Sequence, residues 1–235
     1  MKKILISDYD GTFYQNDIDT KKNIDKVNEF RTLDNLFVLA TGRSYVDSKQ
    51  KIDKYEIPYD YLILNHGALL LSKDLEIIKV FTLDKELVDS ILEYANNDKD
   101  IYDVILISAF DKNVTDTLNI VKIMLKLYSY DKALEVKNYI DKSYTNIKSY
   151  FISEDNHYLV EVVSSEASKS LMIDKILDKE EIVKKNVYTI GDGINDIEMI
   201  RDYNGYRVSN PCKELVSVTD RVIDNVSDLI SRISN

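Results

Sequence analysis

Two carboxylates one residue apart, Asp8 and Asp10, close an apolar run near the start of the chain, and two more, Asp192 and Asp196, follow an apolar run near its end. Carboxylates gathered on one rim repel one another unless a cation stands among them, and hard carboxylate oxygens suit Mg²⁺. Lys169, the Thr41 hydroxyl and Asn195 add groups that can act on an anion such as phosphate. A phosphate ester resists water, and its transfer is catalysed mainly by positioning and by charge stabilisation. In such chemistry a carboxylate can attack phosphorus, dividing one hard step into two through a covalent intermediate. An anionic nucleophile meeting a phosphate dianion is repelled, so Mg²⁺ and the Lys169 ammonium have to screen its approach. Gly11 permits a tight turn that aims Asp8 and Asp10 at one phosphate, while the amides of Gly42 and Arg43 can face its oxygens.

These residues need elements that hold them together. Lys3–Ser7, Leu36–Ala40, Tyr61–Leu64 and Val187–Ile190 read as buried strands, each ending in a polar turn. Ile24, Val27 and Phe30 recur at helical spacing behind Thr20, a potential cap. Ser165–Asp178 carries Met172, Ile173, Ile176 and Leu177 on one helical face. Tyr206–Ser209 and Arg221–Ile223 look like short further strands, and Val226–Ile233 like a closing helix. Strand–helix alternation predicts a parallel sheet with helices on both faces, a Rossmann-like α/β core. Ligands of such a sheet sit beyond the carboxyl ends of its strands, where Asp8, Thr41 and Asp192 stand. The middle of the chain differs. Leu83–Asn96 predicts a helix, Val104–Phe110 a strand, Val114–Tyr128 a helix, and Lys148–Ser153 with Tyr158–Val163 a hairpin. The expected organisation is a core formed by 1–80 and 164–235, split by an inserted α+β cap at 81–163.

The run Asp8-Tyr9-Asp10-Gly11-Thr12 resembles the signature that opens phosphatases of the haloacid dehalogenase (HAD) superfamily. Thr41, Lys169 and Gly191-Asp192-Gly193-Ile194-Asn195-Asp196 resemble its second, third and fourth motifs, in order. The place of the insert is similar to that in the type-IIB, Cof-like subclass. The resemblance implies an Mg²⁺-dependent phosphomonoesterase acting on a small phosphorylated metabolite, with sugar phosphates the leading class. It implies Asp8 and Asp10 as catalytic residues, Asp10 protonating the leaving oxygen and then deprotonating water. It assigns the metal to Asp8, Asp192 and the Asp10 carbonyl, the phosphate to Thr41, Gly42, Lys169 and Asn195, and a supporting place to Asp196. Ser170 stands where the family usually has glycine, and His66 separates an Asn–Gly pair; it either touches substrate near the hinge or, the plainer reading, fills that turn.

Other readings fit the residues less well. An EF-hand loop has its glycine at the sixth position, and Gly11 is the fourth from Asp8. Gly191-Asp192-Gly193 lacks the third glycine of a dinucleotide loop, and no Walker A motif occurs. A phosphomutase would use the same Asp8/Asp10 pair. A receiver-like signalling domain needs its phosphoacceptor on a later strand, where Tyr61–Leu64 ends in Asn65. Forty-one acidic residues against 31 basic give a net charge near −10, which argues against nucleic-acid and anionic-membrane partners. Cys212 is alone, so no internal disulfide forms, and it reads as structural. No signal-like segment or run of ~20 apolar residues occurs, and the expected location is cytoplasmic. His157, in the polar turn Asp155-Asn156-His157, is expected to be exposed.

Overall fold

The computed structural model describes residues 2–154 and 156–234; Asp155 lies outside them. Its core opens with strand β1 (Ile4–Asp8), helix α1 (Asp17–Thr32), β2 (Leu36–Ala40), α2 (Tyr45–Tyr55) and β3 (Tyr61–Leu64). An antiparallel pair, β4 (Leu69–Ser72) and β5 (Ile77–Val80), follows. Next come α3 (Lys85–Asn97), β6 (Ile101–Ile107), β7 (Lys122–Leu127), α4 (Tyr130–Ser143), β8 (Ile147–Glu154) and β9 (His157–Ser164). The chain closes with α5 (Lys169–Glu180), β10 (Val187–Gly191), α6 (Ile197–Asp202), β11 (Asn204–Arg207), α7 (Lys213–Val216) and α8 (Val226–Ser234).

The main sheet runs β11-β10-β1-β2-β3-β4-β5, parallel from β11 to β3. Side chains alternate across its faces, as the period of a strand requires. Leu5, Phe37, Leu39 and Leu62 pack with Val27 and Phe30 of α1 and Leu229 and Ile230 of α8. Ile4, Ile6, Val38 and Ile63 pack instead with Met172, Ile173 and Ile176 of α5 and Met199 of α6. Both faces are therefore covered, which is why these strands read as continuous apolar runs.

A second sheet, β6-β7-β9-β8, is antiparallel throughout. Ile123, Leu125, Val160 and Val162 face α3 and α4, meeting Val88, Ile91, Val136 and Ile140. Its other face turns to the core, where Ile105, Ile107, Val121 and Val163 close over Ala68 and Ala167. The architecture is the Rossmann-like α/β core with an inserted α+β cap that the sequence predicts.

Several local expectations are corrected. The cap of α1 is Asn16, whose side chain accepts from the Asp19 amide at 2.9 Å, and Thr20 sits one turn inside. Val114–Tyr128 is not a helix: it is an irregular stretch leading into β7, with Asn113 and Asn119 at positive φ. Val114, Leu118, Val121 and Leu125 mimic a helical stripe because β7 is covered on both faces and loses its alternation. The helix lies later, in α4, capped by Ser129 and burying Ala133, Val136 and Ile140. Arg221–Ile223 contributes only an isolated bridge from Val222 to Arg207. His157 opens β9 half-buried, 2.9 Å from Glu154, rather than standing free in a turn. No helix among the described residues is long and apolar enough to cross a membrane.

Candidate active site

Parallel register decides what meets at the strand ends. Asp8 pairs with Ala40, so Thr41 follows directly beside it, and Ser7 pairs with Ile190, which places Gly191-Asp192 on its other side. Asp8, Asp10, Thr41, Gly42, Asp192 and Asn195 all line one cavity of about 450 Å³ under the cap. Gly11, at φ +77°, turns the chain between the two first-motif carboxylates and Thr12. A Cβ there would lie 2.5 Å from Asp192 Oδ2, so only glycine lets the loop reach the carboxylate. Thr12 then donates its hydroxyl to Asp192 Oδ1 at 2.7 Å. Gly11→Ala should therefore displace the Asp192 carboxylate and lower Tm, since alanine is strained at this positive φ; an unchanged melt would mean that the loop has room for a side chain.

Lys169, at the first position of α5, is completely buried. Its ammonium lies 2.7 Å from Asp8 Oδ1 and 2.7 Å from Asp196 Oδ1. Burial opposes its charge, but Asp196 and Asp8 outweigh that and hold its pKa above the usual lysine value. Asp8 is pushed well above the ordinary carboxylate range by burial; Lys169 pulls it down, and Asp196 and Asp192 add to the rise. Burial also raises Asp192. Asp196 has no free oxygen, because Oδ2 accepts from the amides of Asp192 and Gly193 at 3.1 and 2.9 Å. One carboxylate oxygen each of Asp8, Asp192 and Asp196 can come within 4.8 Å of the others. With Asp196 committed to Lys169 and the loop, Asp8 and Asp192 are the two carboxylates left to face a cation. An oxygen-only donor set with unrelieved negative charge fits Mg²⁺.

Asp10 is brought to the cavity but not against Asp8's lysine. About half exposed, it forms a bidentate pair with Arg43, at 2.7 Å to both Nε and Nη2. The Arg43 amide donates to Thr41 Oγ1 at 3.1 Å, leaving the threonine hydroxyl proton free to point elsewhere. The remaining wall comes from the cap: Lys122, Met124, Ile152, Leu159 and Glu161, with Lys112 held to Asp47 of α2 at 2.8 Å.

His66 does more than fill a turn. It is buried, stacked on Tyr150 with ring centroids 4.0 Å apart, 2.5 Å from Glu161 Oε2 and 3.0 Å from Asn195 Nδ2. Glu161 in turn takes Lys122 at 2.8 Å, and Lys122 reaches the Gly42 carbonyl, also at 2.8 Å. Motif and spacing do not single out Lys122, Glu161 or the Arg43 side chain, and Thr12 enters only as the last residue of the first motif, with no role given. For the first two there is a signal in the charge within each apolar strand, Lys122-Ile123-Met124 and Val160-Glu161-Val162: neither is affordable in a strand interior unless it meets an opposite charge.

A sequence profile of the haloacid dehalogenase-like hydrolases matches this chain in two overlapping stretches, residues 5–115 and 105–229. The chain is similar to a candidate phosphatase of Buchnera aphidicola, 25% identical, with 99% of this chain and 98% of that protein aligned. Among solved structures it is similar to a haloacid dehalogenase-like hydrolase of Bacteroides thetaiotaomicron, at TM-score 0.83 and 19% identity, covering 99% of this chain and 100% of the other. It is also similar to a HAD subclass IIB sugar phosphatase, at TM-score 0.78 and 16% identity, covering 99% and 98%. At these identities the structural likenesses speak for the fold.

Proposed function

The chain belongs to the haloacid dehalogenase-like hydrolases, and from that premise we propose that it is an Mg²⁺-dependent phosphomonoesterase using Asp8 as nucleophile. The observation that carries this reading is the buried Lys169 ammonium, 2.7 Å from both Asp8 and Asp196 at the ends of two adjacent strands. Such a cation favours the ionised form of a buried nucleophilic carboxylate, against the burial that raises it, and meets the charge of an incoming phosphate. Asp8, Asp192 and the Asp10 carbonyl would hold Mg²⁺, which supplies charge neutralisation and polarises the phosphoryl oxygens.

In this reading an Asp8 oxygen forms a bond to phosphorus as the ester P–O bond breaks, and Asp10 gives its proton to the departing alkoxide. Water then attacks the aspartyl-phosphate, Asp10 takes its proton, and the bond to Asp8 breaks to release phosphate. The Thr41 hydroxyl, the Gly42 amide, Lys169 and Asn195 would hold the phosphoryl oxygens. Because Arg43 grips Asp10 on both oxygens, substrate has to draw that guanidinium aside before Asp10 can reach the leaving group. The cap at 81–163 would cover the leaving group and exclude water. A small sugar phosphate suits the cavity: Asp47, Lys112, Ser153 and Glu154 offer polar partners, beside an apolar strip of Met124, Ile152 and Leu159.

Hydrolysis of an aryl phosphate should stop in chelator and return with Mg²⁺; full turnover in the chelated protein would sink the assignment. A melting experiment reads the same site without substrate. The folded pKa of Asp8 is raised, so its contribution is fully favourable below the unfolded carboxylate value, about 3.9, and is lost as pH rises towards the higher folded one. Mg²⁺ removes that loss. Saturating Mg²⁺ should raise Tm, adding about 2.7 kcal/mol of stability at a hundredfold excess over Kd. The gap between Mg²⁺ and chelator should widen as pH rises above the unfolded carboxylate value, about 3.9.

A further inference from the structure

We propose that the cap ion pair Glu161–Lys122, acting through His66, fixes the orientation of the Asn195 amide and so assembles part of the phosphate site when the cap is closed. One chain of hydrogen bonds links these groups, and its polarity is settled at its cap end. An ammonium can only donate and an ionised carboxylate can only accept. Lys122 Nζ donates to Glu161 Oε1 at 2.8 Å, and Glu161 Oε2 lies 2.5 Å from His66 Nε2. Burial works against the Glu161 charge, but Lys122 and His66 overcome it and hold the carboxyl down at about 2. His66 Nε2 therefore carries a proton and donates it. Asn195 Nδ2, a donor, faces Nδ1, which marks Nδ1 as the bare acceptor of a neutral ring, and burial, which depresses the His66 pKa, favours the same state. Asn195, 3.0 Å from Nδ1, has to present its NH₂ there. Its second N–H is then the donor left for a phosphate, and Oδ1 is turned towards Gly193, where a Cβ would stand 2.7 Å from it.

The ring cannot evade this by rotating. Tyr150 stacks on one face at an interplanar angle of 15°, and Gly42 presses so close that a Cβ there would lie 2.3 Å from His66 Cε1. A second arm reaches the other phosphate loop. Lys122 also donates to the Gly42 carbonyl, whose peptide supplies the Arg43 amide bonded to Thr41 Oγ1. Asn195 and Thr41 are on the core, whereas Glu161, Lys122 and Tyr150 are on the cap sheet. Closure of the cap and orientation of the two phosphate-binding side chains are thus one event. Glu161 and Lys122 are positioning residues, and the inference rests on the phosphatase reading only where it names phosphate as the anion.

The sequence holds two histidines, His66 and His157, so ¹⁵N labelling of histidine in the full-length protein reports the tautomer directly. At neutral pH the wild type should show His66 with a protonated Nε2 and a bare Nδ1, with His157→Gln assigning the other signal. Glu161→Gln turns its amide NH₂ to His66, so the proton should move to Nδ1 and the Asn195 amide should flip. Glu161→Asp remains acceptor-only and should keep the proton on Nε2. Binding of inorganic phosphate, read by thermal shift, should weaken about tenfold in Glu161→Gln, the loss expected of one hydrogen bond to a charged group. The weakening should be smaller in Glu161→Asp. A wild-type His66 that is imidazolium or Nδ1-protonated would overturn the proposal, as would a Glu161→Gln protein with an unchanged tautomer. If Glu161→Gln does not fold, the wild-type and Glu161→Asp tautomers still decide it. Absence of phosphatase turnover beside the expected tautomers would count against the proposed function and not against this inference.

Discussion

Asp8→Asn is expected to reduce turnover by at least about 10⁴-fold on every phosphate ester, because in the proposed mechanism Asp8 is the attacking carboxylate and an amide oxygen cannot replace it. The same substitution should leave the protein folded and, in chelator at neutral pH, more stable. Asp8 is buried against Asp192 and Asp196 and its charged form is disfavoured in the folded state, so a neutral isostere removes a penalty that grows as pH rises. Lys169 keeps Asp196 as its partner. Asp10→Asn provides the contrast. It should lose the acid–base contribution, roughly 10²–10⁴-fold, with a larger loss for sugar alkoxide leaving groups than for nitrophenolate, which departs without a proton. Steady-state rates of both variants on an aryl and a sugar phosphate, beside melts in chelator, test these roles. Equal losses for both leaving groups would contradict the role of Asp10, and residual turnover in Asp8→Asn near the wild-type rate would remove Asp8 as nucleophile.

What can be read in advance follows the physics of each segment. The core strands β2 and β3 are legible residue for residue, because a strand covered on both faces is a short apolar run ended by a polar turn. The rim residues follow, since parallel strands place their carboxyl ends together. The cap is harder. In β7 the apolar residues on both faces blur the period of two, and with Val114 and Leu118 upstream they counterfeit a helix. Helix α4 escapes notice because its core-facing residues, Ala133, Val136 and Ile140, are few and small against a charged background. The polar network above the loops at the strand ends depends on pairs such as His66 with Glu161, 95 residues apart. Local periodicity carries no information about such pairs. Only the incongruity of Lys122 and Glu161 within apolar strands points to them.

Lys169→Met should be the most damaging change outside the proposed nucleophile, in both stability and rate. It leaves Asp8 and Asp196 buried and facing each other with no cation between them. Removing one partner of a buried charge cluster costs about 3–5 kcal/mol, which for a chain of this size corresponds to a fall in Tm of about 6–20 °C. The cost should depend on pH with a definite sign. Lys169 is what pulls the raised pKa of Asp8 downward. Without the ammonium that folded-state pKa rises further, so the variant approaches the wild type in acid and falls away from it as pH increases. The double variant Lys169→Met/Asp196→Asn separates charge from shape. An asparagine at position 196 can keep an oxygen on the amides of Asp192 and Gly193, which Asp196 now holds at 3.1 and 2.9 Å, while shedding the unpaired charge. Part of the lost stability should therefore return, and the two substitutions should be non-additive by more than the ~0.5 kcal/mol typical of independent sites. Activity should not return, because no cation then meets the phosphate beside Asp8. Strict additivity in denaturant melts would mean that Lys169 and Asp196 act separately. A double variant that recovered turnover would show that the ammonium serves the fold and not the chemistry.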